Sequence, residues 1–146
     1  MKIFQGTGDR VQGSVKSFKD LLVWKKAYEL SLFIYKVTAK FPKDELYGLV
    51  SQMRRAGVSV ASNISEGYSR KGRAEYIQFL SVAYGSLSEL ETQILLSKDL
   101  LYIKEEDFNK LMKLKDEAGA MLYRLLQSLS PVPRTLKEVQ NEAHNL

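Results

Sequence analysis

Cysteine is absent from this chain of 146 residues. Disulfides, thiolate metal sites and a cysteine nucleophile are thereby excluded. Histidine is nearly absent: the one copy, His144, is the third residue from the end. Catalytic triads, HExxH zinc sites and imidazole acid–base chemistry have almost nothing to work with. No run of 18 apolar residues is present, so no membrane span is expected, and the opening Met1-Lys2-Ile3-Phe4-Gln5-Gly6 lacks the apolar stretch of a secretory signal. A cytoplasmic location is the expectation. Proline occurs three times, at Pro42, Pro131 and Pro133, which leaves long uninterrupted stretches for helix. No glycine-rich phosphate loop is present, since Gly67 and Gly72 form neither GxGxxG nor a Walker motif. Ser59, Ser86 and Ser88 have no histidine to activate them. The expectation is a protein without catalysis, metal or cofactor.

What is present is ordinary globular material with a basic excess. Hydrophobic residues make up 45% and charged residues 27%, enough for one domain with a real core. There are 22 Lys/Arg against 17 Asp/Glu, a net charge of +5. The excess lies in the first half: residues 1–49 carry +4, residues 50–76 carry +3 and residues 77–146 carry −2. A basic half suggests a polyanion partner, although a solvated surface gives the same count.

Apolar periodicity predicts four helices. The first runs from about Asp20 to Lys40, with Val23, Ala27, Leu30, Ile34, Val37 and Phe41 as its buried stripe. A second stripe, Leu21, Trp24, Tyr28, Leu32 and Tyr35, lies beside it and asks for a further buried surface. The second helix is expected over about 44–66, capped by Asp44. Its core stripe is Leu46, Leu49, Met53, Ala56, Val60 and Ile64, and Gly67 is placed to end it in a left-handed conformation. Gly57 costs roughly 1 kcal/mol in mid-helix, so it is read as a packing residue. The third helix is expected over about 73–101, with Tyr76, Leu80, Ala83, Leu87, Leu90, Ile94 and Leu101 inward. The fourth begins at Glu105-Glu106-Asp107, whose charge suits a helix N-terminus, and stops at Pro131. Residues 1–17 read as a flexible arm, 18–130 as the helical domain and 131–146 as a tail. In the tail, Thr135-Leu136-Lys137-Glu138 has capping-box spacing for a short helix. Four long amphipathic helices with short links imply an all-α, up-down antiparallel four-helix bundle.

Two polar sets stand out. Gln52, Arg55, Ser59, Asn63 and Glu66 form a stripe on the second helix, facing Ser86 and Glu89 on the third. They are read as a structural hydrogen-bond network, with Arg55 reaching Glu89 or Glu66. Arg54, about 100° away from Arg55, is then left near solvent. With Arg70, Lys71 and Arg73 of the next turn, and Lys25 and Lys26 of the first helix, it is assigned to phosphate contact. Tyr68 and Tyr76 flank that turn.

The ordered blocks carry a resemblance. Phe18-Lys19-Asp20-Leu21-Leu22-Val23-Trp24, Tyr47-Gly48-Leu49 through Arg54-Arg55-Ala56, and Val58-Ser59-Val60-Ala61-Ser62-Asn63-Ile64-Ser65-Glu66-Gly67 resemble the bacterial four-helix bundle proteins encoded in 23S rRNA intervening sequences. Phe79-Leu80-Ser81 through Glu91-Thr92-Gln93 is similar to a further block of that family. The likeness covers about residues 18–129. It implies a ring, a homopentamer, and a role linked to RNA. It also implies kinship with the accessory variability determinant of diversity-generating retroelements, which binds a reverse transcriptase and nucleic acid. No catalytic residues come with it. Where such proteins often have a Ser or Thr cap, this chain has Gly72 and Lys104. The expected function is therefore binding of structured nucleic acid, RNA ahead of DNA, through a basic surface. The alternative is an adaptor for a reverse transcriptase or another nucleic-acid enzyme.

Overall fold

The computed structural model describes residues 15–130. The arm expected over 1–17 falls outside the described residues except for its last three, and the tail over 131–146 falls outside entirely. Four long helices carry the described chain: α1 (Leu22–Thr38), α2 (Ser51–Ser69), α3 (Arg73–Asp99) and α4 (Glu105–Leu129). No strand occurs among the described residues.

The ends of the helices explain where the spacing misled. Asp20 does not begin α1. Its carboxylate accepts from the backbone N–H groups of Lys16 and Ser17 at 3.0 and 3.2 Å, while Ser17 caps Lys19 at 3.2 Å. That closes a short 3-10 turn, Phe18–Asp20, and delays α1 to Leu22. The Lys16 and Ser17 hydrogen bonds also lower the Asp20 pKa below the ordinary carboxylate range.

Before α2, a 3-10 turn over Lys43–Glu45 leads into a wide π-type turn over Leu46–Val50. Glu45 is the cap here and Asp44 is not: the Glu45 carboxylate accepts from Leu49 N–H at 3.0 Å. Gly48 sits at φ −107°, ψ −116°, outside helical geometry. A Cβ on it would lie 2.7 Å from Glu45 Oε2, so glycine leaves room for the capping carboxylate. The wide turn shifts the helical register. Leu46, expected in the core, is instead exposed.

Gly67 does not end α2, which continues to Ser69. It is a close-approach residue: an added Cβ would lie 2.7 Å from Phe79 Cβ and 3.1 Å from Tyr76 Cδ2 of α3. Gly57 serves α1 in the same way, with Ile34 Cδ1 2.7 Å from where a Cβ would stand and Ser31 Oγ donating to Gly57 O at 2.9 Å.

Leu101, also expected in the core, is 89% exposed at φ 65°. It is the left-handed residue that stops α3. Leu101 N–H donates to Lys98 O, and Tyr102 N–H to Ser97 O, each at 2.9 Å, the paired bonds of a Schellman ending. Lys104 gives α4 no side-chain cap, and the acidic first turn alone suits the N-terminus.

The helices pack in a closed cycle, each against its two neighbours, α4 returning to α1. Every neighbouring pair is antiparallel. Along α1 and α4, Lys26 meets Glu117 while Phe33, further along α1, meets Lys110 earlier on α4. Arg73 at the start of α3 reaches Leu129 at the end of α4. The core holds Ala27, Leu30, Ile34, Met53, Val60, Ile64, Tyr76, Leu80, Leu90, Ile94, Leu111 and Leu122, all fully buried. Burial pushes the Tyr76 phenol up to about 12.

Candidate nucleic-acid interface

The antiparallel order puts the start of α1 and the α2–α3 turn at one end of the bundle. The 3-10 turn 18–20 packs on both α1 and α2 there. Lys16, Lys19, Lys25 and Lys71 are exposed at this end, and none makes an ion pair among the described residues. Beside them runs a row of aromatic rings. Phe18 meets Trp24 edge-on at 5.2 Å, and Trp24 stacks on Tyr28 at 5.1 Å. Tyr28 is exposed and Trp24 half-buried. Lysines next to stacked rings match the needs of a phosphate backbone with an occasional base.

The six residues assigned to phosphate contact do not form one patch. Lys25 and Lys71 are exposed as expected. Lys26 is held by Glu117 at 2.8 Å, with Glu29 at 3.5 Å, and the Glu117 hydrogen bond raises its pKa. Arg70 pairs with Glu66 at 2.8 Å and lies 5.1 Å over the Phe79 ring. Arg73 donates to the carbonyls of Leu129 and Ser128, satisfying the free C-terminal oxygens of α4. It is a clamp between α3 and α4. Arg54 lies toward the other end of the bundle. Its Nε donates to Thr38 Oγ1 at 3.0 Å, and its guanidinium stands 4.6 Å over the Tyr35 ring.

The expected network is likewise divided. Of the two adjacent arginines, Arg54 is the tied one and Arg55 the exposed one, the reverse of the sequence reading. Arg54 finds its partners, Thr38 and Tyr35, on α1. Arg55 bonds Gln52 on its own helix and reaches neither Glu89 nor Glu66. Glu66 is occupied by Arg70, and Glu89 accepts from Gln93 at 3.2 Å. What remains across α2 and α3 is a small set: Ser59 Oγ and Ser86 Oγ at 2.9 Å, with Asn63 Nδ2 donating to Ser59 O at 2.7 Å and to Ser59 Oγ at 3.0 Å.

Two shallow grooves complete the surface. One, of 370 Å³, lies between α3 and α4 under Tyr84 and Tyr123, above the nearly buried Lys115. Burial would depress the Lys115 pKa, but Asp116 at 2.6 Å and Glu91 at 3.2 Å outweigh it and raise the pKa. The other, of 480 Å³, lies at the α1–α2 corner and is lined by Tyr35, Leu46, Tyr47, Arg54, Arg55 and Val58. The second apolar stripe of α1 pointed to its Tyr35 side; the Leu46 and Tyr47 side comes from the wide turn before α2. No group of three or more potential ligands is poised for a metal among the described residues. No helix there is long and apolar enough to cross a membrane.

Fold and surface together define an all-helical bundle protein with a basic, aromatic end. The family described as 23S rRNA-intervening sequence protein matches residues 19–124, and the chain belongs to it. A solved structure from Bacteroides thetaiotaomicron, described as a protein with unknown function from the S23 ribosomal protein family, is similar at 24% identity. Its TM-score is 0.66, over 73% of this chain and 99% of that one, a likeness of fold. No curated protein matches the chain.

Proposed function

We propose that this protein is a non-enzymatic, cytoplasmic oligomer that binds structured nucleic acid, RNA ahead of DNA, through phosphate contacts at its basic end. The observation that carries the reading is the set of exposed lysines Lys16, Lys19, Lys25 and Lys71, none in an ion pair among the described residues, beside the Phe18–Trp24–Tyr28 row. The family's description names a 23S rRNA intervening sequence, which favours RNA among polyanions. Lysines are point charges, so binding follows counterion release and reads little sequence. The resemblance to intervening-sequence proteins further implies a homopentameric ring, which would repeat the basic end and raise avidity.

The test compares the wild type with a Lys19→Ala/Lys25→Ala/Lys71→Ala variant in binding a structured RNA, with the protein freed of nucleic acid beforehand. The variant is expected to lose about tenfold or more in affinity at low salt, as the loss of three phosphate contacts predicts. Equal affinity with an intact fold sinks the assignment. Arg73 is left unchanged because its substitution would loosen α4.

A second reading, an adaptor for a reverse transcriptase or another nucleic-acid enzyme, draws on the exposed apolar side chains of α1, α3 and the wide turn before α2. Tyr47, at 92% exposure, is the extreme case. Direct binding of a reverse transcriptase, lost in Tyr47→Ala while RNA binding persists, would favour it.

A further inference from the structure

We propose that the α1–α2 corner of one copy docks on the outer face of α3 of a second copy, head to tail. The inference rests on the oligomeric reading above and names the two faces that reading leaves open.

Exposed apolar side chains fall on two separate faces. The α1–α2 corner shows Leu32, Tyr35, Tyr47 and Val58 around its 480 Å³ groove. On α3, Val82 and Leu96 are exposed, as is Leu100 just past its end, and Val82, Glu89 and Leu96 recur every seven residues, one stripe along the outer surface. A stripe of that spacing is the shape a groove between two helices accepts.

Charge gives the pairing its direction. The groove's two charges are both positive, Arg54 and Arg55, and Arg55 is exposed. Between Arg73 and Lys98, α3 has no basic residue and three acids, Glu75, Glu89 and Glu91. Groove against groove would set arginine on arginine, and stripe against stripe would set glutamate on glutamate. The favourable contact joins unlike faces. Such a contact repeats from copy to copy and closes into a ring when the rotation allows.

The α3 face also leaves room for a close approach. Gly85, on the same surface, has open space where a Cβ would stand and lets another backbone come close.

The chain's lack of cysteine makes the test clean. Native mass spectrometry should show an oligomer for the wild type. Arg55→Glu alone and Glu89→Arg alone should each raise the concentration at which it dissociates by about tenfold or more, and the double reversal should restore it. Independently, Val58→Cys and Leu96→Cys proteins mixed under mild oxidation should cross-link to each other far more than either does alone. A monomeric wild type overturns the oligomeric reading and the inference with it. An oligomer indifferent to the reversals, or one whose cysteines link only like to like, overturns the choice of faces and leaves the oligomer standing.

Discussion

Helices α2 and α4 are both amphipathic, and each touches two neighbours, yet they are held by different means. α2 is packed through missing side chains. Gly57 admits Ile34 of α1, Gly67 admits Tyr76 and Phe79 of α3, and Ser59 meets Ser86 oxygen to oxygen. α4 is held at its edges by charge. Glu117 takes Lys26, Lys115 takes Glu91, Lys110 covers Phe33, and Arg73 reaches across from α3 to close the last turn. Its own glycine, Gly119, borders an open groove, with no atom nearer than 3.9 Å to the place of a Cβ. The surface divides differently. Exposed large apolar residues crowd α1 and α3, whereas α2 shows only Val58 and α4 only Tyr123. Two helices with spare apolar surface are equipped for company.

The contrast can be broken in several ways, beginning with the largest effect. Tyr76 lies against the Gly67 contact, and burial lifts its phenol to about 12. The raised pKa means the stability is whole below the unfolded value near 10 and falls as pH climbs to 12. About 3 kcal/mol should be lost across that window. A pH series of urea midpoints should show this loss, and Tyr76→Phe should flatten it.

Next come the glycines. Gly67→Ala should lower stability by about 1–2 kcal/mol, because overpacking against Phe79 exceeds the gain in helix propensity. Gly119→Ala, with space to spare, should raise it by about 0.5–1 kcal/mol. Thermal midpoints moving in the same direction would erase the distinction between the helices. Arg73→Ala should cost about 1 kcal/mol and speed hydrogen exchange in the last turn of α4, leaving the last turn of α2 as it was.

The smallest effect is in acid. The Lys26 hydrogen bond lowers the Glu117 pKa, so the contribution of this exposed pair is present above the unfolded carboxylate value and fades as pH falls through the folded one. Exchange protection, relative to the intrinsic rate at each pH, should therefore fall in α4 before α2 as the pH is lowered. A simultaneous fall would show that charge does not distinguish them.

Periodicity located the helices because each buries a stripe wide enough to dominate its own pattern. The inward residues of α1 and of the body of α3 are where their spacing puts them. The core misses sit at turns, where one residue changes the phase. The wide turn around Gly48 moved Leu46 out of the core. The Schellman ending turned Leu101 outward. Arg54 and Arg55 exchanged roles for another reason: Thr38 and Tyr35 of α1 take Arg54, while Arg55 bonds Gln52 on its own helix. The candidate site was legible only in part for a related reason. A run of basic residues states how much charge there is, but not which side chains already have partners. Arg70, Arg73 and Lys26 are spoken for by Glu66, the α4 carbonyls and Glu117, partners as far as 91 positions away in sequence. Lys25 and Lys71 remain, and the fold adds Lys16 and Lys19, which spacing did not select.

The measurement closest to the central claim is RNA binding by the nucleic-acid-free protein between 50 and 200 mM salt. Three to four lysine contacts predict a fall of about tenfold or more across that range. An affinity that holds constant, or no binding at 50 mM, would contradict a phosphate-binding end.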